Sequence, residues 1–357
     1  MRILHLIWDL SGGGAERQLS YLATELASNG HEVHVAFCND GPNKQEMPSV
    51  VLHRLAIRSN HDFSLLLQVY LLIKRIKPDI IHTWLMQMDI IGGISALLAR
   101  IPQVFREPSS SMAYQMNLKN RMRILAASRS KAIVSNSRAG DEYWANLLPR
   151  SRRHIVVNGL PIERIKATEA ALPSGLIQTE IPIVLYAGRI IPDKNLKAFI
   201  SALDQIRYRQ PVLGVICGEG SHQNELEFMI SSKGMGEYIH FTGFLPATSV
   251  WALMKKAAVF VSLSDYEGCP NTVMEAMACG CPILLSDIPA HREIADDTCA
   301  VLVDRLKIEQ IANALDKELM NIDQSRQRAL VAQRRANEWS INRMTDAYEN
   351  IYLSIVK

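Results

Sequence analysis

The chain has 357 residues, more than the ~250–300 at which one hydrophobic core stops growing, so two domains are expected. With 48% apolar and 21% charged residues it is neither disordered, fibrous nor collagen-like, and a net charge of +3 does not point to nucleic acid. The charge is uneven. Residues 1–170 carry 21 Lys+Arg and 14 Asp+Glu (21 − 14 = +7), and residues 171–357 carry 18 and 22 (18 − 22 = −4). The six cysteines form no CxxC pair or zinc spacing and read as reduced thiols. The apolar opening 1–8 is too short for a signal peptide. No apolar run approaches the ~18 residues of a membrane span. The expectation is a cytoplasmic protein, at most peripheral at the inner face of the cell membrane.

In chain order, 2–8 reads as a buried strand, Gly12-Gly13-Gly14 as a turn, and 15–28 as a helix stopped at Asn29-Gly30. A strand follows at 31–37, with others at 50–55, 79–83, 103–106, 131–135 and 154–157. Helical patterns fall near 63–76, 89–99, 116–129 and 138–148. The stretch 165–180 has no period and reads as a linker. The alternation then restarts with strands 183–187, 212–217, 238–241, 257–263 and 282–286. Helices 194–207, 222–233, 248–255 and 271–279 lie between them, and 308–319, 323–336 and 340–355 close the chain. Such repetition predicts α/β architecture: two doubly wound Rossmann-like domains facing a cleft, with ligands beyond the carboxyl ends of the strands. The predicted domains are 1–167 and 168–339, with 340–357 packing back on the first.

Three loops suit an anion. Gly12–Arg17 joins a strand to a helix N-terminus, but a dinucleotide fingerprint would need glycine where Arg17 stands, and a plain tight turn explains it equally well. Arg189 and Lys194 leave the carboxyl end of strand 183–187, a guanidinium and an ammonium suited to a diphosphate, or else a solvated surface pair. In 265–282, a Gly268-Cys269-Pro270 break precedes a helix opening near Asn271, which leaves the amides around Asn271, Thr272 and Val273 for phosphate. Glu267 and Glu275 flank that helix start. Carboxylates there suit sugar and ribose hydroxyls; the plain alternatives are a loop acid and an exposed helix acid.

This last segment, an acid, seven residues, another acid and then Ala276-Met277-Ala278-Cys279-Gly280, resembles the signature of retaining GT-B glycosyltransferases, above all glycosyltransferase family 4 (glycosyl transferases group 1) of the bacterial surface-polysaccharide type. Supporting matches run along almost the whole chain: Gly12–Arg17, Ser135–Ser137, Val156–Gly159, Gly188-Arg189 with Lys194-Asn195, Gly218–Gly220, Phe241–Phe244 and Pro289–Glu293. The resemblance implies a hexose-type transferase with a nucleotide-sugar donor, uridine being the expected base on family frequency. It implies no cofactor and no metal. Arg189, Lys194 and Glu267 become the catalytic set. Gly13, Gly14, Gly188, Gly243, Phe244, Gly268, Cys269, Pro270, Asn271, Thr272 and Glu275 become donor-binding, with Glu275 on the ribose and Glu267 beside the sugar. Many relatives carry a histidine near 104–108, where this chain has Phe105-Arg106-Glu107-Pro108. Arg106 and Glu107, with Glu16 and Arg17, are therefore assigned to the acceptor side, although a cleft-edge ion pair explains Arg106 equally well.

The acceptor implied is a lipid-linked saccharide on a polyprenyl diphosphate, and no nucleic acid is expected as partner. Residues 112–131 mix Met112, Met116, Leu118, Met122 and Leu125 with Lys119, Arg121, Arg123, Arg129 and Lys131. That pattern fits an anionic membrane surface, or an ordinary helix with its apolar side in the core. Two other readings remain open: a sugar-nucleotide epimerase of the same architecture, and a non-catalytic binding relative. A nicotinamide dehydrogenase fails on the incomplete glycine fingerprints.

Overall fold

The computed structural model describes residues 1–41, 46–57, 64–109, 116–172 and 180–356. They divide into two compact units, Met1–Gly159 with Trp339–Lys357, and Leu160–Glu338.

In chain order the first unit holds β1 (Arg2–Ile7), β2 (Asp9–Leu10), α1 (Gly14–Ser28), β3 (Glu32–Phe37), β4 (Asn39–Asp40), β5 (Val51–Arg54), α2 (Ser64–Ile76), β6 (Ile80–Trp84), α3 (Met86–Ala99), β7 (Gln103–Glu107), α4 (Leu118–Ala127), β8 (Ala132–Ser135), α5 (Arg138–Leu147) and β9 (Arg153–Ile155). Its seven-stranded sheet runs β5-β3-β1-β6-β7-β8-β9, parallel throughout. The central strands are buried on both faces, so β1 and β6 show no alternation of buried and exposed positions, and His5, His82 and Thr83 are buried with their apolar neighbours. β2 and β4 form a separate short pair.

The second unit holds α6 (Ile162–Ala167), β10 (Ile183–Ala187), α7 (Leu196–Ile206), β11 (Leu213–Cys217), α8 (Gln223–Ser232), β12 (Ile239–Gly243), α9 (Ala247–Met254), β13 (Val259–Ser262), α10 (Asn271–Ala278), β14 (Ile283–Ser286), α11 (Pro289–Ile294), β15 (Val301–Val303), α12 (Ile308–Met320) and α13 (Ile322–Ala336). Its parallel sheet runs β12-β11-β10-β13-β14-β15. Order reverses beside β10, so β10 and β13 flank a switch point where ligands collect in such sheets. The last helix, α14 (Ile341–Val356), packs on α1 and sends Met344, Tyr348, Ile351 and Tyr352 into the core of the first unit.

The chain passes between units at 159/160, earlier than the 167/168 read from composition. α6 is too short for a visible period, yet Ile165 is buried and the helix packs on α10. Of the linker read at 165–180, residues 173–179 lie outside the described residues, as do 112–115 of the amphipathic segment. The helix read as 194–207 begins at Leu196. Pro192–Lys194 form a 3-10 turn, and Asn195 is left-handed at φ +52°.

Candidate functional site

In the second unit, the loops after β10, β11 and β12 are zipped together through their backbones. Gly188 N donates to the Cys217 carbonyl at 2.9 Å, Ile190 N to the Glu219 carbonyl at 2.9 Å, and Gly218 N to the Gly243 carbonyl at 2.8 Å. Gly218 sits at φ +131°, and a Cβ there would lie 2.0 Å from the Gly188 carbonyl oxygen, so only glycine fits. The Tyr186 hydroxyl donates to the Arg189 carbonyl at 2.8 Å and fixes the strand exit. Burial pushes its pKa up, so it stays neutral. The Arg189 side chain is exposed and has no hydrogen-bond or ion-pair partner among the described residues. Phe244 is also exposed, and its N–H points at Glu219 Oε1 at 3.4 Å.

Lys194 and Glu267, 73 positions apart, form an ion pair with both side chains largely buried. Glu267 Oε1 also accepts from Ser264 Oγ at 2.8 Å. The two loops are tied again by Tyr266, whose hydroxyl donates to Asp193 Oδ2 at 2.7 Å, and by Asp265 N, which donates to the Asp193 carbonyl at 2.8 Å. The bond to Asp193, with burial, raises the Tyr266 pKa and keeps its proton in place. Arg305 joins from beyond β15: Nε donates to Asp265 Oδ1 at 2.6 Å, and its carbonyl accepts from Asn195 Nδ2 at 3.1 Å.

Beneath the pair lies a buried polar group. His291 Nδ1 is 2.8 Å from the Ser286 carbonyl, which assigns the ring proton to Nδ1 and turns Nε2, as acceptor, towards Ser262 Oγ at 3.5 Å. Burial lowers its pKa, against a weaker upward push from the Ser286 carbonyl, and the ring is neutral. Ser262 Oγ lies 3.5 Å from Ser264 Oγ.

α10 starts beside this network. The Gly268-Cys269-Pro270 break holds it open, and Pro270 takes the N-cap place. The first helical bond runs from Met274 N to the Pro270 carbonyl at 3.1 Å. The amides of Thr272 and Val273 therefore belong to the turn that a helix leaves without its own acceptors, at the positive end of its dipole. Cys269 is half-buried, with Sγ 3.5 Å from Met274 Sδ. Glu275 is 2% exposed, so it is not the solvated helix acid of the plain alternative. Burial, and next the Glu275 charge, push the Cys279 thiol up to about 12. Gly280, at φ +71°, ends the helix.

In the first unit, Gly13 caps α1 and Gly14 opens it, both exposed. The Glu16 carboxylate folds over Gly13: a Cβ there would meet Glu16 Oε2 at 2.4 Å. The acid thus sits against its own helix N-terminus, where the dipole favours it. Arg17 is half-buried with a buried Nε. Gln18 clamps Gly159 in both directions, donating from Nε2 to its carbonyl at 2.9 Å and accepting its N–H at Oε1 at 2.8 Å.

Arg106 and Glu107 correct the acceptor-side reading, since neither reaches the surface. Arg106 donates to the Tyr348 hydroxyl and to Asn158 Oδ1, and lies 4.4 Å over the Trp84 ring. Glu107 accepts from Trp144 Nε1 at 3.0 Å, Ser109 N at 2.8 Å and Arg123 Nη2 at 3.0 Å. Arg123, read as part of a basic face, is likewise buried, with Nε bonded to Asp89 at 3.0 Å. Arg123 is tolerated in the interior by its two carboxylates and Arg106 by neutral hydrogen-bond acceptors and the Trp84 ring, and the role is structural.

The structure thus gathers Arg189, Lys194, Glu267, Gly188, Gly243 and the start of α10 at the carboxyl ends of the second unit's strands. Tyr186, Ser264, Tyr266 and His291 join them; the sequence assigns none of them a role, although Tyr266 lies in the 265–282 signature and His291 in the Pro289–Glu293 match, since each acts through a partner brought near only by folding.

The family described as "Glycosyl transferases group 1" matches residues 168–335, and "Glycosyltransferase Family 4" matches 12–164. The GDP-mannose:cellobiosyl-diphosphopolyprenol alpha-mannosyltransferase of Xanthomonas oryzae pv. oryzae is 25% identical over 255 residues, 69% of this chain and 65% of its own length. The UDP-Gal:alpha-D-GlcNAc-diphosphoundecaprenol alpha-1,3-galactosyltransferase of Escherichia coli is 23% identical over 83% of this chain and 80% of its own. The crystal structure of HepE from Anabaena in complex with UDP and glucose superposes with a TM-score of 0.86 at 20% identity, covering 99% of this chain and 100% of that one. It shares the GT-B fold.

Proposed function

This chain belongs to the glycosyltransferases of group 1 and family 4, and from that premise we propose that it moves a hexose-type sugar, with retention, from a nucleotide-sugar to a hydroxyl of a lipid-linked saccharide. Among donors we propose a UDP-sugar. The observation that carries the reading is the convergence of Arg189, Lys194, Glu267 and the α10 N-terminus at one end of one sheet. In this reading Arg189, Lys194 and the amides of Thr272 and Val273 hold the donor diphosphate. Glu267 stands beside the sugar, Glu275 takes the ribose, and Gly243 and Phe244 meet the base.

The acceptor oxygen bonds to the anomeric carbon as the bond from that carbon to the β-phosphate oxygen breaks. The departing phosphate accepts the acceptor's proton. Donor and acceptor alone balance this step, so the proposal includes no redox cofactor or metal. Negative charge grows on the diphosphate, and pre-aligned positive groups stabilise it without reorganising. Until the donor arrives, Lys194 is engaged with Glu267, so its charge is already placed and needs only to be shared. The polyprenyl-linked acceptors in the names of the Xanthomonas and Escherichia coli relatives support the acceptor class.

The test is transfer from a panel of UDP- and GDP-sugars to polyprenyl-diphosphate saccharides, with the product anomer read by NMR. An α-product from an α-donor supports the reading. Isomerised donor without transfer, or an inverted product, contradicts it.

A further inference from the structure

The loops that carry Lys194 and Glu267 leave β10 and β13, neighbouring strands in the middle of the second sheet. Arg305 follows β15 at the edge of that sheet, three strands from β10 and so roughly 14 Å away at the usual strand spacing. The turn after β15 nevertheless folds back across the carboxyl ends of the strands. Asp304 shapes it locally: its Oδ1 accepts from Leu306 N and its carbonyl from Lys307 N, each at 3.0 Å. Arg305 then meets both loops at once. Its carbonyl accepts from Asn195 Nδ2 at 3.1 Å, and its Nε donates to Asp265 Oδ1 at 2.6 Å.

Asn195 shows that the first contact is built. It stands at the N-cap of α7, where an asparagine side chain ordinarily accepts from the helix's free amides, and it makes no such bond. It is held at φ +52°, a left-handed conformation that asparagine tolerates better than other residues with a Cβ but still at a cost. Its amide goes to the Arg305 carbonyl instead, and that bond offsets a cap forgone and an unfavourable φ. Lys194 precedes it directly. On the other side of Lys194, Asp193 is held by the Tyr266 hydroxyl and by Asp265 N. Asp265 is the residue that the Arg305 guanidinium grips. Both chain neighbours of Lys194 are thus anchored, one on the Arg305 main chain and the other through the Arg305 side chain.

We infer that Arg305 is a positioning residue: through Asn195 and Asp265 it fixes the two loops against each other and seats the Lys194 ammonium on Glu267 before a donor binds. Its effect on turnover rests on the transferase reading, whereas the seating of Lys194 does not.

The test therefore has two readouts. Acetylation of the full chain by N-acetoxysuccinimide, resolved residue by residue by mass spectrometry, reports how firmly Lys194 is held with no donor present. Arg305→Ala should label Lys194 about threefold to fivefold faster, the range open to the loss of a part-exposed ion pair, with the exposed Lys256 unchanged. In transfer from a nucleotide-sugar the same variant should lose about threefold to fivefold in kcat, with KM within about twofold. Arg305→Lys should recover most of both. Asn195→Gly, which keeps the left-handed φ and loses the amide, should repeat the loss. Arg305→Ala added to Lys194→Ala should lower kcat no further, because the residue acts through that lysine. Arg209→Ala, which breaks a comparable pair with Asp316 elsewhere in the unit, should change neither readout.

Unchanged Lys194 labelling in Arg305→Ala overturns the inference, as does faster labelling of every lysine alike. So does a rise in KM alone, which would put Arg305 on the donor itself, or a full additional loss of kcat in the double variant. Faster labelling of Lys194 in a protein that transfers no sugar upholds the seating of Lys194 and contradicts the transferase reading alone.

Discussion

Lys194→Ala isolates the electrostatic part of the account. In the donor-free protein Lys194 Nζ is bonded to Glu267, and both side chains keep less than a fifth of their exposure. A diphosphate that takes over the ammonium must draw it from a carboxylate already holding it, so ground-state binding gains little. The gain comes as charge develops on the leaving phosphate, and the loss belongs in kcat more than in KM. Removing one pre-aligned cation of this kind costs about 10²–10³ in rate, or about 2.7–4 kcal/mol of transition-state stabilisation. Folding loses much less. Glu267 keeps Ser264 as a donor at 2.8 Å, and a part-buried pair is worth about 1 kcal/mol, or about 2–4 °C in Tm. The assay is steady-state release of nucleoside diphosphate, with melting followed in parallel. A folded Lys194→Ala protein with kcat within threefold of wild type would refute the reasoning.

Ser264→Ala removes one hydrogen bond to Glu267 and leaves Lys194 in place. It should lower kcat about tenfold, from ~1–1.5 kcal/mol, with Ser264→Thr restoring most of it; equal activity in the alanine variant contradicts the positioning role. Gly218→Ala must put a Cβ 2.0 Å from the Gly188 carbonyl. A loss of about 2–3 kcal/mol in stability is expected by urea titration, and an unchanged midpoint contradicts it. His5 is fully buried against His82, Trp84 and Arg106, and burial first, then the Arg106 charge, lowers its pKa to about 3. The unfolded chain takes up this proton near pH 6.5 and the folded one only near 3. Stability is therefore full above 6.5 and falls as pH drops towards 3, by up to ~1.4 kcal/mol per pH unit. His5→Gln, which keeps an acceptor for Trp84 Nε1, should flatten that slope, and an unchanged slope excludes His5 as its source.

The fold was legible because parallel strands buried on both faces leave continuous β-branched runs, and the helices between them leave a 3.6-residue period. Short pieces were not. β15 and α11 span too few residues for a period, and α6 was absorbed into an apparent linker. At the site, the two acids and two cations stood out because each lies just after a strand or inside a helix start. The supports did not. Ser264 reads as one more loop serine, and His291 as a histidine without a role inside the Pro289–Glu293 match, until the β14–α11 connection brings its ring to Ser286 and Ser262. Arg106, Glu107 and Arg123 were misjudged for a related reason: a charge in sequence reads as a surface group, and only the folded partners Tyr348, Asn158, Asp89 and Trp144 reveal an interior network.

The most direct measurement is isothermal titration of nucleotide-sugars into wild-type protein and into Arg189→Ala/Lys194→Ala. The account predicts saturable binding of at least one nucleotide-sugar to wild type, weakened in the double variant while its melting curve stays cooperative. Absence of binding by every UDP- and GDP-sugar, or equal affinity in both proteins, would contradict it.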